Sequence, residues 1–205
     1  MSDKELKTLE NIHNAAKAEF LEKGFLGASL RNIVKTAGVT TGAFYGYYES
    51  KEELFEALVS RVADFIMLGI SNAQAGFNQV SDDQKQSRMG EFSWKNMEQE
   101  LEYVFAYKDE FKLLLLSSAG TKYENFIHQL VEIEKQSTKD YMGTMKKLGH
   151  DVPEFEDDLE HMIISGMFTA FFELILHDIP KETAFSYAKI LVEFHVAGWK
   201  KIMGL

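Results

Sequence analysis

The chain has no cysteine. That removes a disulfide framework, a thiolate metal site and a cysteine nucleophile. Proline is almost missing as well, with two in 205 residues. A sheet-rich fold with many proline-containing turns is disfavoured, and long helices are not. The first twenty residues are charged and amphipathic and lack the apolar centre of an export signal. No uninterrupted apolar run approaches the ~18 residues of a bilayer span. The expected location is therefore cytoplasmic, with no membrane partner. His-Glu-x-x-His, Gly-x-Ser-x-Gly and a phosphate-binding glycine loop are all missing, so no catalytic residue, metal or cofactor is expected. Acid–histidine pairs stand at helical spacing at Glu124/His128, Glu173/His177 and Asp158/His161. They read as surface pairs along helices, since a metal site in a helical bundle needs Glu-x-x-His on two of them.

Positive charge is also scarce. Lys and Arg number 22 against 32 Asp and Glu, a net charge of −10. Such a molecule repels nucleic acid at long range. The deficit is uneven: residues 1–60 carry only −2, and Ser29 to Lys51 has an excess of two positive charges from Arg31, Lys35 and Lys51 against Glu49. Any nucleic-acid contact is expected at this small surface.

Apolar residues, by contrast, are plentiful at 45%, enough for a sizeable core. Their spacing predicts an all-α fold of about nine helices. A first helix covers 3–24, with Leu9, Ile12, Ala16 and Phe20 on one face and Gly24 as its end. Ser29 is placed to cap a second helix with Leu30, Ile33, Val34 and Ala37 inward. Gly38 provides a tight turn, where a Cβ is expected to obstruct the bend. Thr40 caps a very short third helix, to about Tyr47. Ser50 and Glu53 form a capping box for a long fourth helix, running to about Gly76. Residues 78–90 are polar and aperiodic and read as a loop. Further helices are expected from Phe92, over 111–116, 122–148 and 154–177, and from Pro180 to about Met203, with a turn at Gly149–Pro153. The chain then divides into residues 1–50, a three-helix unit, and 51–205, a helical bundle.

The segment from Ser29 to Leu54 has the layout of a helix-turn-helix reader of DNA. Ala37-Gly38-Val39, Thr40, Gly42, Phe44, Tyr45, Tyr47-Tyr48 and Ser50-Lys51 resemble the signature of the TetR family of bacterial transcriptional regulators. Two positions depart from it: Tyr47 stands where the family often has His, and Tyr48 where it usually has Phe. The resemblance implies a ligand-responsive repressor, a homodimer on a palindromic double-stranded operator, released by a small hydrophobic or amphipathic effector whose identity the sequence does not give. The alternatives are a helical ligand-binding or adaptor protein without DNA binding and, more remotely, a helical metalloenzyme.

Candidate residues follow. Ser29, Arg31, Thr40, Thr41, Gly42, Tyr45, Tyr47 and Lys51 are the expected DNA contacts. Lys51 and Tyr45 face phosphate, and Thr41 faces bases; Phe44 belongs to the core. The short third helix holds no Arg, Lys, Asn or Gln, so bidentate base pairs are not open to it, and readout falls to thymine methyls, single hydrogen bonds and shape. Trp94, Met97, Leu101, Phe105, Phe111, Tyr123, Phe126, His128 and Tyr141 are the expected effector contacts, because aromatic and Met side chains suit adaptable apolar pockets. Gly166, Met167, Ala170, Phe171, Leu174, Leu191, His195 and Trp199 are the expected dimer surface. It lies on two helices whose mixture of small and bulky residues needs cover on more than one side.

Overall fold

A computed structural model describes residues 2–205. Among the described residues there are nine helices and no strands, as the apolar spacing predicts: α1 (Asp3–Gly27), α2 (Leu30–Thr36), α3 (Thr41–Phe44), α4 (Lys51–Asn78), α5 (Asp82–Ala106), α6 (Lys108–Leu116), α7 (Phe126–Lys147), α8 (Asp157–Leu176) and α9 (Lys181–Ile202). The chain forms two compact units. The first holds residues up to Phe65 together with Tyr107–Phe126, and the second holds Ile66–Ala106 and Ile127–Leu205. The expected division at residue 50 misses this. The first unit takes half of α4, and it takes α6 from far along the chain.

The first unit is built around α1. Ile12, Ala16 and Phe20 are fully buried, at the helical spacing that made α1 legible. Gly24 breaks the helix with φ 68°, a left-handed conformation that costs other residues about 1–2 kcal/mol. The break turns Phe25 inward. The rings of Phe20, Phe25 and Phe55 then pack together, with centroids 5.1–5.9 Å apart, and each such buried side chain contributes roughly 1.5–3 kcal/mol. α6 packs on α1. The Ser117 hydroxyl donates to the Phe20 carbonyl at 2.8 Å in a buried site, and the Phe25 amide donates to the Ser117 carbonyl at 3.0 Å. Phe111, Leu113 and Leu114 of α6 are buried.

In the second unit α9 packs along both α5 and α8. The stretch 78–90, expected as a loop, is mostly helix: α5 begins at Asp82. Helix formers and a two-carboxylate first turn, Asp82 and Asp83, favour the helix dipole. The inward anchor is a lysine, Lys85, buried and held by Asp82 at 2.7 Å, so no apolar period marks the turn. α7 starts at Phe126 rather than 122, after turns at 121–125, and α8 starts at Asp157 rather than 154. α7 stops at a Schellman motif: Gly149 has φ 91°, its amide donates to Lys146, and the His150 amide donates to Met145. Asp157, opening α8, is held by Lys135 and Lys139 of α7 at 2.8 and 3.0 Å. These two ammonium groups depress its carboxyl to about 2.

α8 also corrects the expectation about apolar runs. By length and composition, Asp157–Leu176 suffices to cross a membrane, with mean hydropathy 1.5 over its apolar window, of which 33% is buried. The helix opens with Asp157, Asp158 and Glu160 and packs on α9, as a core helix does.

Candidate functional site

Two features of the fold present chemistry, and each lies within one unit. The first is the α2–α3 surface. Phe44, fully buried, pins the four-residue α3 to its unit. Thr40 starts it: the threonine hydroxyl accepts the Ala43 amide at 3.1 Å. With the aromatic side turned in, Thr40, Thr41, Gly42, Ala43 and Tyr45 are left outward, with Arg31 and Lys35 exposed on α2. Tyr45 is 54% exposed, unusually open for an aromatic residue. Gly38 has φ 67°, and a Cβ there meets nothing within 4 Å. The turn therefore needs glycine for its left-handed backbone, not for the clash expected from sequence. Gly42 has open space where a Cβ would stand, so a bulkier residue there projects outward.

Three expected contacts are engaged differently. Lys51 is half-buried, and its Nζ donates to the carbonyls of Phe25 at 2.7 Å and Ala28 at 3.0 Å, 4.4 Å from the centre of the Phe25 ring. The ammonium holds the end of α1 instead of standing free. Ser29 sits at the start of α2, yet its side chain caps nothing. Its amide instead donates to Glu19 Oε1 at 3.0 Å. That bond, followed by Lys23, holds the Glu19 carboxyl below its usual range. The Tyr47 hydroxyl donates to the Glu5 carbonyl at 3.3 Å. Tyr48 is buried and bonded to His13 Nε2; burial raises the phenol and lowers the imidazole. Ser50 caps α4 through the Glu53 amide at 3.1 Å, but the Glu53 carboxylate accepts from Glu49 instead of closing the box.

The second feature is a cavity of about 220 Å³ inside the second unit, walled by α4, α5, α7, α8 and α9. Of the expected effector contacts, Met97 and Tyr141 line it. Trp94, Leu101 and Phe105 lie on α5 but off its lining, because the inward face runs through Met89, Phe92, Ser93, Asn96, Met97 and Glu100. Polar residues mark that face, and an apolar pattern passes over them. Phe111, Tyr123 and Phe126 belong to the first unit. His128 is exposed beside Glu132 and His161, their ligating atoms within 4.8 Å of one another. Bonds of about 2 Å to a tetrahedral metal need ligand atoms roughly 3.4 Å apart, and Glu132 already faces Lys135 at 3.2 Å. The trio could hold an ion only after rearranging.

On the two last helices most of the residues expected at a dimer surface face inward in this subunit. Met167, Phe171, His195 and Trp199, expected at a dimer surface, line the cavity. Leu174 is buried, and Ala170 and Leu191 are half-buried. Of the expected set, Gly166 alone is exposed. The outward apolar residues are Leu159 and Met162 on α8 and Tyr187, Ile190 and Phe194 on α9. They recur at three- and four-residue spacing, so the signal was present.

Residues 12–58 match the family of bacterial regulatory proteins, tetR family. The chain is 38% identical over 60 residues to the HTH-type transcriptional regulator YdgC of Bacillus subtilis, which is 29% of this chain and 31% of that one. It is 40% identical over 55 residues to the HTH-type transcriptional repressor BepR of Brucella suis, 27% of this chain and 26% of that one. The matches thus span less than a third of these relatives. Beyond them the likeness is of fold: the SmeT–triclosan complex superposes with a TM-score of 0.54 at 19% identity, over 93% of this chain and 90% of that one. The likeness to the tetR family of bacterial regulatory proteins thus rests on residues 12–58.

Proposed function

We propose that the protein is a cytoplasmic, ligand-responsive transcriptional repressor that binds an inverted-repeat operator as a homodimer. The observation that carries this reading is α3. Its Phe44 is fully buried while Thr40, Thr41, Gly42 and Tyr45 face solvent beside Arg31 and Lys35, inside the segment that matches the family. Thr41 and Gly42 approach base edges, and Arg31, Thr40 and Tyr45 meet phosphates, while Tyr47 ties α1 to the reader through the Glu5 carbonyl. Lys51 and Ser29 serve indirectly, by fixing the end of α1 and the start of α2 against each other. The named repressor activity of BepR supports the sign of regulation.

Dimerisation runs through the outward apolar faces of α8 and α9, two helices from each subunit. Two-fold symmetry then sets the readers about 34–36 Å apart, or a small multiple of that. The cavity takes the effector, as the triclosan complex of SmeT supports for a protein of this fold. α4 lends Ile70, Ala73, Gln74 and Phe77 to the cavity wall and is continuous with the reader's own Lys51–Phe65. An occupant preferring one position of α4 thereby shifts DNA affinity.

Selection of bound duplexes from a random pool tests the reading. An enriched inverted repeat upholds it. Enrichment of nothing, with the cavity still taking ligands, favours a helical ligand-binding protein without DNA affinity, the alternative that the net charge of −10 supports.

A further inference from the structure

The cavity is mostly apolar, with Phe77, Phe92, Phe168, Phe171 and Trp199 in its wall, but its ionisable groups are two glutamates, a tyrosine and a histidine. Glu100 comes from α5, Glu134 and Tyr141 from α7, and His195 from α9; α4 and α8 contribute no titratable or charged group to the lining, and no Lys or Arg reaches it. Both carboxylates lose solvent by burial, and Glu100 is further opposed by the charge of Glu134; no base or hydrogen-bond donor offsets either one. Gly69 lets Glu100 lie close to α4, since a Cβ there would stand 3.1 Å from its Oε1. Burial lowers His195 from its ordinary value and so disfavours its charged form. That makes it a poor counter-charge. Its Nε2 and the hydroxyl of Tyr141 have no partner among the described residues, although Tyr141 is 93% buried, being 7% exposed.

A carboxylate half withdrawn from water without a donor, as Glu100 and Glu134 are, is costly to keep charged. Two in one cavity, beside an unpartnered phenol and a wall of aromatic faces, make a site whose missing member is a positive charge. Aromatic faces attract the same charge through their quadrupoles. We propose that this cavity binds an amphipathic organic cation, its ammonium group held between Glu100 and Glu134 and its apolar part against the aromatic wall. The proposal rests on the reading of the cavity as the effector site and narrows it to one ligand class. A neutral hydrophobe leaves the two carboxylates unmatched, and an organic anion opposes them.

Binding consumes the ionised form. Both groups titrate near pH 7 when the cavity is empty, so each is about one-tenth ionised near pH 6 and about nine-tenths near pH 8. Cation binding then releases protons, and affinity rises with pH.

Benzyltrimethylammonium is a suitable probe because its charge is permanent. Neopentylbenzene has the same shape without charge, and phenylacetate carries the opposite one. Calorimetric titration of the full-length protein should show the cation binding more tightly near pH 8 than near pH 6, by about tenfold for each carboxylate that must ionise, with proton release. Glu100→Gln and Glu134→Gln should each weaken it about tenfold, and neither should weaken neopentylbenzene. Both variants keep the side-chain shape, and unchanged circular dichroism verifies their folding. The proposal is overturned if the neutral probe or phenylacetate binds more tightly than the cation, if no probe binds, or if the double variant binds the cation as the parent does. Operator release is read separately. Neopentylbenzene that releases DNA while the cation fails to bind overturns the charge assignment and leaves the effector reading standing. Glutamate-dependent cation binding that leaves DNA affinity unchanged upholds the assignment and overturns the effector reading.

Discussion

At the scale of single residues, Lys51 shows how a family pattern and a local geometry differ. The motif marks the position, and the helix start suggests phosphate. Its Nζ instead bridges two carbonyls at the end of α1. Charge-assisted bonds to carbonyls are each worth about 1.5–3 kcal/mol when partly buried. Lys51→Met should therefore lower the stability of the reader by about 2 kcal/mol in urea unfolding, while the salt dependence of DNA binding by the folded protein stays the same. A salt slope smaller by about one would instead return Lys51 to the phosphate. No sequence signal distinguishes these roles, because the partners are backbone atoms more than twenty positions away.

At the scale of elements, legibility followed the origin of the anchoring. α1, α2 and α4 bury apolar residues at regular spacing, and α3 is framed by Thr40 and Phe44; these could be read directly. The start of α5 could not, since its anchor is Lys85. The docking of α6 on α1 could not either, since it runs through Ser117 and two backbone groups, and only the fold brings Ser117 to Phe20. The two faces of α8 were both legible as apolar, but not which one turns inward: composition says that a helix is apolar around its circumference and not which side meets its own subunit. Gly38 was identified correctly for an incorrect reason. With φ 67° and open space at the Cβ position, Gly38→Ala should cost about 1–2 kcal/mol. Thermal unfolding measures this, and the loss should be confined to the α2–α3 reader.

On the scale of the whole molecule, two properties depend on the second unit. The outward face of α8 and α9 is larger in apolar character than isolated surface residues explain. Phe194 is 68% exposed on it, so Phe194→Asp should leave the subunit folded and convert a dimer to a monomer, read by light scattering, with DNA affinity lost alongside. A variant that remains dimeric places the interface elsewhere. The second property is pH dependence. Glu100 and Glu134 are raised from 4.5 to about 7 in the fold. A carboxylate with a raised folded value stabilises below its unfolded value, and the contribution is lost as pH rises through the folded value. Stability from these groups is thus full below about 4.5 and falls toward pH 7. Glu134→Gln should flatten that decline and raise the melting temperature near pH 8, measurable by scanning calorimetry.

The central claim is that the exposed side of α3 enters a major groove, and Gly42 tests it most directly. It lies on that side, has an ordinary backbone, and has nothing within 4 Å of a Cβ position, so a larger residue there disturbs the surface and not the fold. Anisotropy titration of the selected duplex with Gly42→Val, alongside an unfolding curve, is the measurement. The account predicts at least about a tenfold loss of affinity for that duplex with unfolding unchanged; equal affinity from an equally stable variant would contradict it.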